Sequence, residues 1–362
     1  MRALRSCIVI MLSATASSGC IDRDPTGLRD YGEPPQFVTV GPFGSFTRLQ
    51  PANQPALSPG FPNIQFQAVW PAASGQVFIS RGDDWWFQVD ETFTSATVVS
   101  SKQDLYTVGS AVQLGGWGSG LNDFWGAHED GKLFRYNGSW SVLNTGLGPG
   151  YDFRQVWGFS SSDIWAVGGD RNATGNPAIA HYDGTTWSSV APSANARLLR
   201  GVWGAASNDV WAVGEFATIT HWDGTSWSDH TSPISPTAYE DVHGSSANEV
   251  WAVGSTPGAS LVVRWDGTSW QQVPFPFSVG HLHAVQVLGP NNVYVAGFGL
   301  YHWNGSYWTK INDPALKNPN TGNDLLLWDL RIGHGKLYAI SPFGDLVIGQ
   351  TTASHTLTVT VE

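Results

Sequence analysis

The chain has 362 residues and a formal charge of −11, with charged residues at only 13% and with 42 glycines and 19 tryptophans. So acidic a chain is a poor general partner for nucleic acid or for an anionic bilayer surface. Its glycine and aromatic content argues against a disordered or mainly helical chain, which leaves an all-β protein of short strands and tight turns.

Residues 1–19 have the layout of a secretory signal peptide: a basic start (Arg2, Arg5), a short apolar run from Cys7 to Leu12, and small residues from Ser13 to Gly19. The stretch Ser17-Ser18-Gly19-Cys20 resembles a bacterial lipobox, although Ser17 stands where that motif usually has Leu. The resemblance implies cleavage before Cys20 and lipidation of its thiol. Ala14-Thr15-Ala16 is a rival A-x-A cleavage site that would release a soluble protein. Cys7 and Cys20 are the only cysteines, and Cys7 leaves with the signal, so the lipid role gives the remaining thiol a purpose. Residues 20–35, rich in Asp, Arg, Gly and Pro, read as a flexible tether, and residues 36–362 as the folded domain. No later stretch approaches the roughly 18 apolar residues of a transmembrane helix. Membrane contact is therefore expected through the lipid anchor only, at the outer membrane or cell surface, with a periplasm-facing position as the alternative.

Further along, Phe43-Gly44-Ser45-Phe46-Thr47-Arg48-Leu49 is similar to Asn137-Gly138-Ser139-Trp140-Ser141-Val142-Leu143, a segment that closes one unit of an internal repeat. The leading tryptophan of the repeat, or its substitute, falls at Trp70, Trp117, Trp157, Trp203, His243, Gln286 and Leu330. Intervals of roughly 40 to 47 residues with four strand-like segments each point to propeller blades. In one unit the expected strands are 199–203, 210–214, 218–222 and 226–229, rich in Val, Trp, Ile and Thr. The third turn is always Asp or Asn followed by Gly: Asn137-Gly138, Asp183-Gly184, Asp223-Gly224, Asp266-Gly267 and Asn304-Gly305. The last unit has three strands and no fourth, so the expected fold is a single seven-bladed β-propeller of four-stranded blades, closed by the N-terminal strand. The alternating run Thr356 to Val361 is a rival closing strand.

Units such as Asn208-Asp209-Val210-Trp211-Ala212-Val213-Gly214 with His221-Trp222-Asp223-Gly224-Thr225-Ser226-Trp227 resemble the repeats of exported bacterial propeller lipoproteins common in myxobacteria, and more distantly those of tectonin-type propellers. The resemblance covers most of residues 64–350. It implies fold and export, and carries little about activity.

Two polar positions recur. A carboxylate or its substitute precedes the second strand (Asp123, Asp163, Asp209, Glu249, Asn292), which suggests acceptance of turn amides. His or Arg precedes an aromatic residue in the third strand (Arg135, His181, His221, Arg264, His302), which suggests a donor to that carboxylate. The repeated tryptophans are expected between blades. Aromatics that the repeat does not explain, Trp85, Trp86, Tyr151, Phe153 and Tyr239, are the ligand candidates, expected on connections where propellers bind. No catalytic residue, metal site or cofactor is expected, since no P-loop, G-x-S-x-G, H-E-x-x-H or Rossmann pattern occurs. The leading expectation is a non-catalytic binding or scaffolding module with a protein partner in the envelope. A carbohydrate-binding, lectin-like propeller is second, and a propeller glycosidase or lyase third.

Overall fold

The computed structural model describes residues 43–49, 66–73, 75–81, 85–90, 96–98, 115–128, 131–148, 150–170, 175–235 and 238–351. These form seven four-stranded antiparallel sheets, the blades of a β-propeller: 66–98, 116–144, 151–189, 199–229, 238–272, 284–310, and 329–351 completed by 43–49. Each inner strand touches the inner strands of both neighbouring blades, and the seventh touches the first, so the ring is closed. The expected signal peptide (1–19), the expected tether with Cys20 (20–35) and the rival strand at 356–361 lie outside the described residues. The one short helix with Leu316 buried is the 3-10 turn Pro314–Leu316, and no helix of the described residues is long and apolar enough to cross a membrane.

Closure occurs as the sequence predicts. Phe43–Leu49 lies antiparallel to Leu346–Thr351 as the outer strand of the seventh blade, with Phe46 opposite Gly349. An open ring would leave unpaired strand edges, so this pairing removes an aggregation-prone edge. Arg48 anchors it by donating from Nη1 to Lys317 O at 2.6 Å.

Aromatic clasps bond the blades together. Trp165 of the third blade meets Trp222 and Trp227 of the fourth at ring separations of 5.3 and 5.5 Å. Trp211 meets Trp265 and Trp270 at 5.0 and 5.3 Å, and Trp251 meets Trp303 and Trp308, each at 6.0 Å. Mixed tilted and edge geometries suit the quadrupoles of the rings, worth about 0.5–1.5 kcal/mol per pair beyond burial. At the sixth-to-seventh seam Phe43, 2% exposed, takes this role against Tyr294 at 5.5 Å.

The strand-three donors explain why His and Arg interchange. His181 and His221 lie flat on Trp165 and Trp211, centroids 4.2 Å apart in both cases. Their Nε2 atoms meet Asp163 Oδ1 at 2.8 Å and Asp209 Oδ1 at 2.7 Å. Arg264 bonds Glu249 at 2.5 Å and lies over Trp251, while Arg135 covers Trp125 at 4.6 Å with no partner on Asp123. A planar donor that can stack is what the position requires, and both side chains supply one. Asp163, Asp209 and Glu249 thus serve the third strand rather than their own turn amides, which corrects that expectation, whereas Asp123 accepts from Ser119 Oγ at 2.6 Å. The third turns behave as expected: Asp223 Oδ1 accepts from Thr225 N and Ser226 N at 2.8 and 2.9 Å, holding its carboxyl below the usual range.

One register differs from the sequence reading. Tyr338 pairs with Arg331, as Trp211 pairs with Trp203 and Trp251 with His243, so the seventh counterpart of the leading tryptophan is Arg331 and not Leu330. Leu330 points into the blade and is fully buried. The shift puts a cation, in place of an aromatic ring, on the propeller axis.

Candidate functional site

The inner strands carry a bulge near their starts, at 153–155, 199–201 and 239–241, so two consecutive residues deviate from simple alternation there. Residues from these starts converge on the axis from all seven blades: Ala68, Gly115, Arg154 with Gln155, Arg200, Glu240 with Asp241, His283, and Asp329 with Arg331. We call this end the charged mouth. The cavity beneath it is about 30 Å³, room for a water or two. Side chains therefore plug the channel, and a partner must lie across the mouth rather than thread it.

Most charges here are committed. Arg200 bridges Glu215 of its own blade at 2.7 Å and Glu240 of the next at 2.9 Å. Burial lowers its pKa, but Glu240 and Glu215 outweigh that and raise it overall. Asp241 accepts from Val242 N and from Val285 N of the sixth blade, and Asp329 from Leu330 N and from Val69 N of the first. Each is thus a stitch between blades. Burial pushes Asp241 up to about 6 and raises Asp329 as well, against the attraction of Arg331 at 3.7 and 3.4 Å. Neither is placed as a free acid or base. Arg154 and Arg200 each keep a buried Nε without a hydrogen-bond partner; burial and then Arg200 lower the Arg154 pKa, against the attraction of Glu215, Asp152 and Glu240. A carbonyl oxygen placed at such a buried N–H would satisfy it.

Around the mouth stand exposed aromatics. The turn from strand two to strand three begins where strand two ends, beside the start of the inner strand, so it lies on the mouth face. Phe216, Phe298 and Phe343 occupy this turn in the fourth, sixth and seventh blades and are 72%, 49% and 71% exposed. Phe216 and the following Ala217 have φ of 53° and 62°, a left-handed backbone that presents the ring outward at a strain non-glycine residues rarely carry.

The sequence-predicted ligand residues lie elsewhere than expected. Trp85 and Trp86 begin the third strand of the first blade, opposite Arg81 and Ser80, and not on a connection. Tyr151 and Phe153 belong to the inner strand of the third blade and Tyr239 to that of the fifth. Phe153 and Tyr239 are fully buried, and the Tyr239 hydroxyl meets Ser232 Oγ at 2.6 Å while burial pushes its pKa up to about 12. They belong to a repeat position after all: Phe66, Phe153, Leu199, Tyr239, Leu282 and Leu327 stand four residues before the axial position, each at most 1% exposed. Core packing, not ligand contact, explains them. Among the described residues no group of three or more His, Cys, Asp or Glu is placed to hold a metal ion.

The opposite end of the axis is different. There Trp70, Trp157, His243, Gln286 and Arg331 line a pocket of about 310 Å³ together with residues of the adjoining first turns. Trp117 and Trp203, 7% and 4% exposed, pack behind at 6.3 Å from Trp70 and 6.1 Å from Trp157.

No protein-family model matches the chain, and no curated protein sequence matches it. Solved structures resemble it over most of its length. YCF48 bound to a D1 peptide superposes with a TM-score of 0.62 at 15% identity, over 86% of this chain and 98% of that one. Virginiamycin B lyase from Staphylococcus aureus gives 0.63 at 10%, over 84% and 99%. The WD40 propeller domain of Doa1 gives 0.57 at 11%, over 81% and 94%. At such identities the likeness is one of fold: the chain is a seven-bladed propeller, and its site must be read from its own residues.

Proposed function

We propose that this propeller is a non-catalytic module that docks a protein partner on its mouth face, held at the bacterial envelope by a lipid on Cys20. The observation that carries the reading is the placement of Phe216, Phe298 and Phe343, exposed on one turn position of three blades, around the charged mouth. Exposed aromatics ringing a polar centre suit a protein interface, where aromatic and Arg side chains supply most of the affinity. Arg154 would take a backbone carbonyl or a carboxylate of a segment lying across the plugged channel. The peptide in the YCF48 structure is a property of that protein, but it supports the idea that this fold accepts such a segment. The overall acidity of the chain favours partners that are neutral or basic as a whole.

Affinity capture from envelopes of the source organism tests this. A protein retained by the wild type and lost with Phe216→Ser plus Phe343→Ser supports the reading. Identical capture by both would overturn it. Anchoring is tested separately: Cys20→Ser should shift the protein to the soluble fraction, and unchanged membrane fractionation contradicts lipidation.

A further inference from the structure

The pocket at the far end of the axis shares Arg331 with the mouth but opens away from it, and its chemistry points to another class of ligand. Its apolar walls are the half-buried indoles of Trp70 and Trp157, with Pro71 and Ile332 beside them. Its polar groups include two donors, on His243 and Arg331, beside Ser119, Gln286 and His334. His243 Nδ1 accepts from Val287 N at 3.1 Å, which leaves the ring hydrogen on Nε2. Burial, and secondarily Arg331, push its pKa down to about 3, so the ring is neutral at physiological pH. Arg331 donates one hydrogen bond, from Nη1 to Leu330 O at 3.2 Å, and its charge is balanced by Asp241 and Asp329 behind it. Gln286 is committed at both ends, to Val285 O and Ile332 N.

A cation is disfavoured, because the guanidinium stands where it would bind. A purely apolar ligand would leave the guanidinium and imidazole donors facing it without an acceptor. What fits is an uncharged, flat-faced ring whose C–H surface lies on an indole while its oxygens accept hydrogen bonds from Arg331 and His243. At about 310 Å³ the pocket sits at the low end of ligand sites, roughly 300–1,000 Å³, the size of one or two such rings. We infer that this pocket binds a pyranose ring, either of a free saccharide or at the end of a glycan chain.

The test uses the full chain in a zwitterionic, sugar-free detergent. Saturation-transfer NMR and tryptophan emission are followed against methyl glycosides of glucose, galactose and N-acetylglucosamine and their β-linked dimers. Retention is measured on dextran, cellulose, chitin and peptidoglycan. The expected result is saturable binding of at least one sugar, or retention on at least one polymer, weakened tenfold or more by Trp157→Ala. Trp157 also packs between blades, so a second variant is needed: Ser119→Trp, at an exposed rim position, fills the pocket without touching the core. Soluble sugars alone would identify a free saccharide as the ligand, and polymer retention a glycan. No binding in either format, or binding unchanged by Ser119→Trp, overturns the proposal.

Discussion

Arg200 of the fourth blade donates from Nη1 to Glu240 of the fifth at 2.9 Å, so the rim of the mouth is locked by an ion pair that crosses a blade seam. The same guanidinium donates from Nη2 to Glu215 at 2.7 Å, which fixes its plane. Both acids are less than a third exposed, so screening weakens the pair without abolishing it. A double-mutant cycle of Arg200→Met and Glu240→Gln should give a coupling of about 1–2 kcal/mol by denaturant unfolding. A coupling near zero would mean that the seam is held by packing alone.

The buried imidazoles make stability depend on acid. Burial pushes His243 down to about 3, and His302 and His283 down to about 4, so all three are neutral in the folded protein. Unfolded imidazoles take a proton near pH ~6.5, which makes their contribution complete above that pH and lost as pH falls toward 4. Asp241, raised to about 6, acts in the opposite sense between roughly pH 4 and 6 and offsets part of the loss. The urea midpoint should therefore drop between pH 7 and 5. His243→Gln should lessen the drop, since Gln286 shows in the next blade that an amide oxygen can accept the neighbouring strand's N–H.

Gly214, the last residue of the second strand of the fourth blade, lies against the backbone that leads into the inner strand. A Cβ on Gly214 would lie 2.0 Å from Leu198 O, whereas one on Gly289 would meet nothing within 4 Å. Gly214→Ala should cost about 3 kcal/mol or more, because the obstacle is backbone. Gly289→Ala should change stability by about 0.5 kcal/mol or less. Equal effects would contradict the close crossing.

Ring closure depends on one aromatic residue supplied by the N-terminal strand. Phe43 fills against Tyr294 the seam that indoles fill elsewhere. Phe43→Ala should cost about 3–5 kcal/mol and raise hydrogen exchange in Leu346–Thr351, the strand to which Phe43–Leu49 is paired. Unchanged exchange there would show that the ring closes without it.

The repeat made the blades, the turns and the closing strand readable from the sequence, because Trp, Asp-Gly and strand patterning recur in register. The functional ends were less readable for the same reason. Leu199 opens the expected inner strand 199–203, yet no residue type ties it to Tyr239 and Phe153, since aromatic and aliphatic residues interchange at that buried position. Arg154 and Arg200 follow that position at the bulge, where no recurring residue type marks them. Arg331 was hidden by an apolar neighbour, Leu330, that looked like the better substitute for tryptophan. Phe216, Phe298 and Phe343 lie in turns whose lengths differ between blades, so no spacing links them; only the fold places them on one face.

The account's central claim is that this face docks a protein, and site-specific photo-cross-linking tests it most directly. A benzoylphenylalanine at position 343, on the mouth face, should cross-link to a protein in intact source cells. The same probe at position 208, on the exposed first turn of the fourth blade at the opposite face, should not cross-link to that protein. Capture of one and the same protein at both positions, or of none at 343, would contradict it.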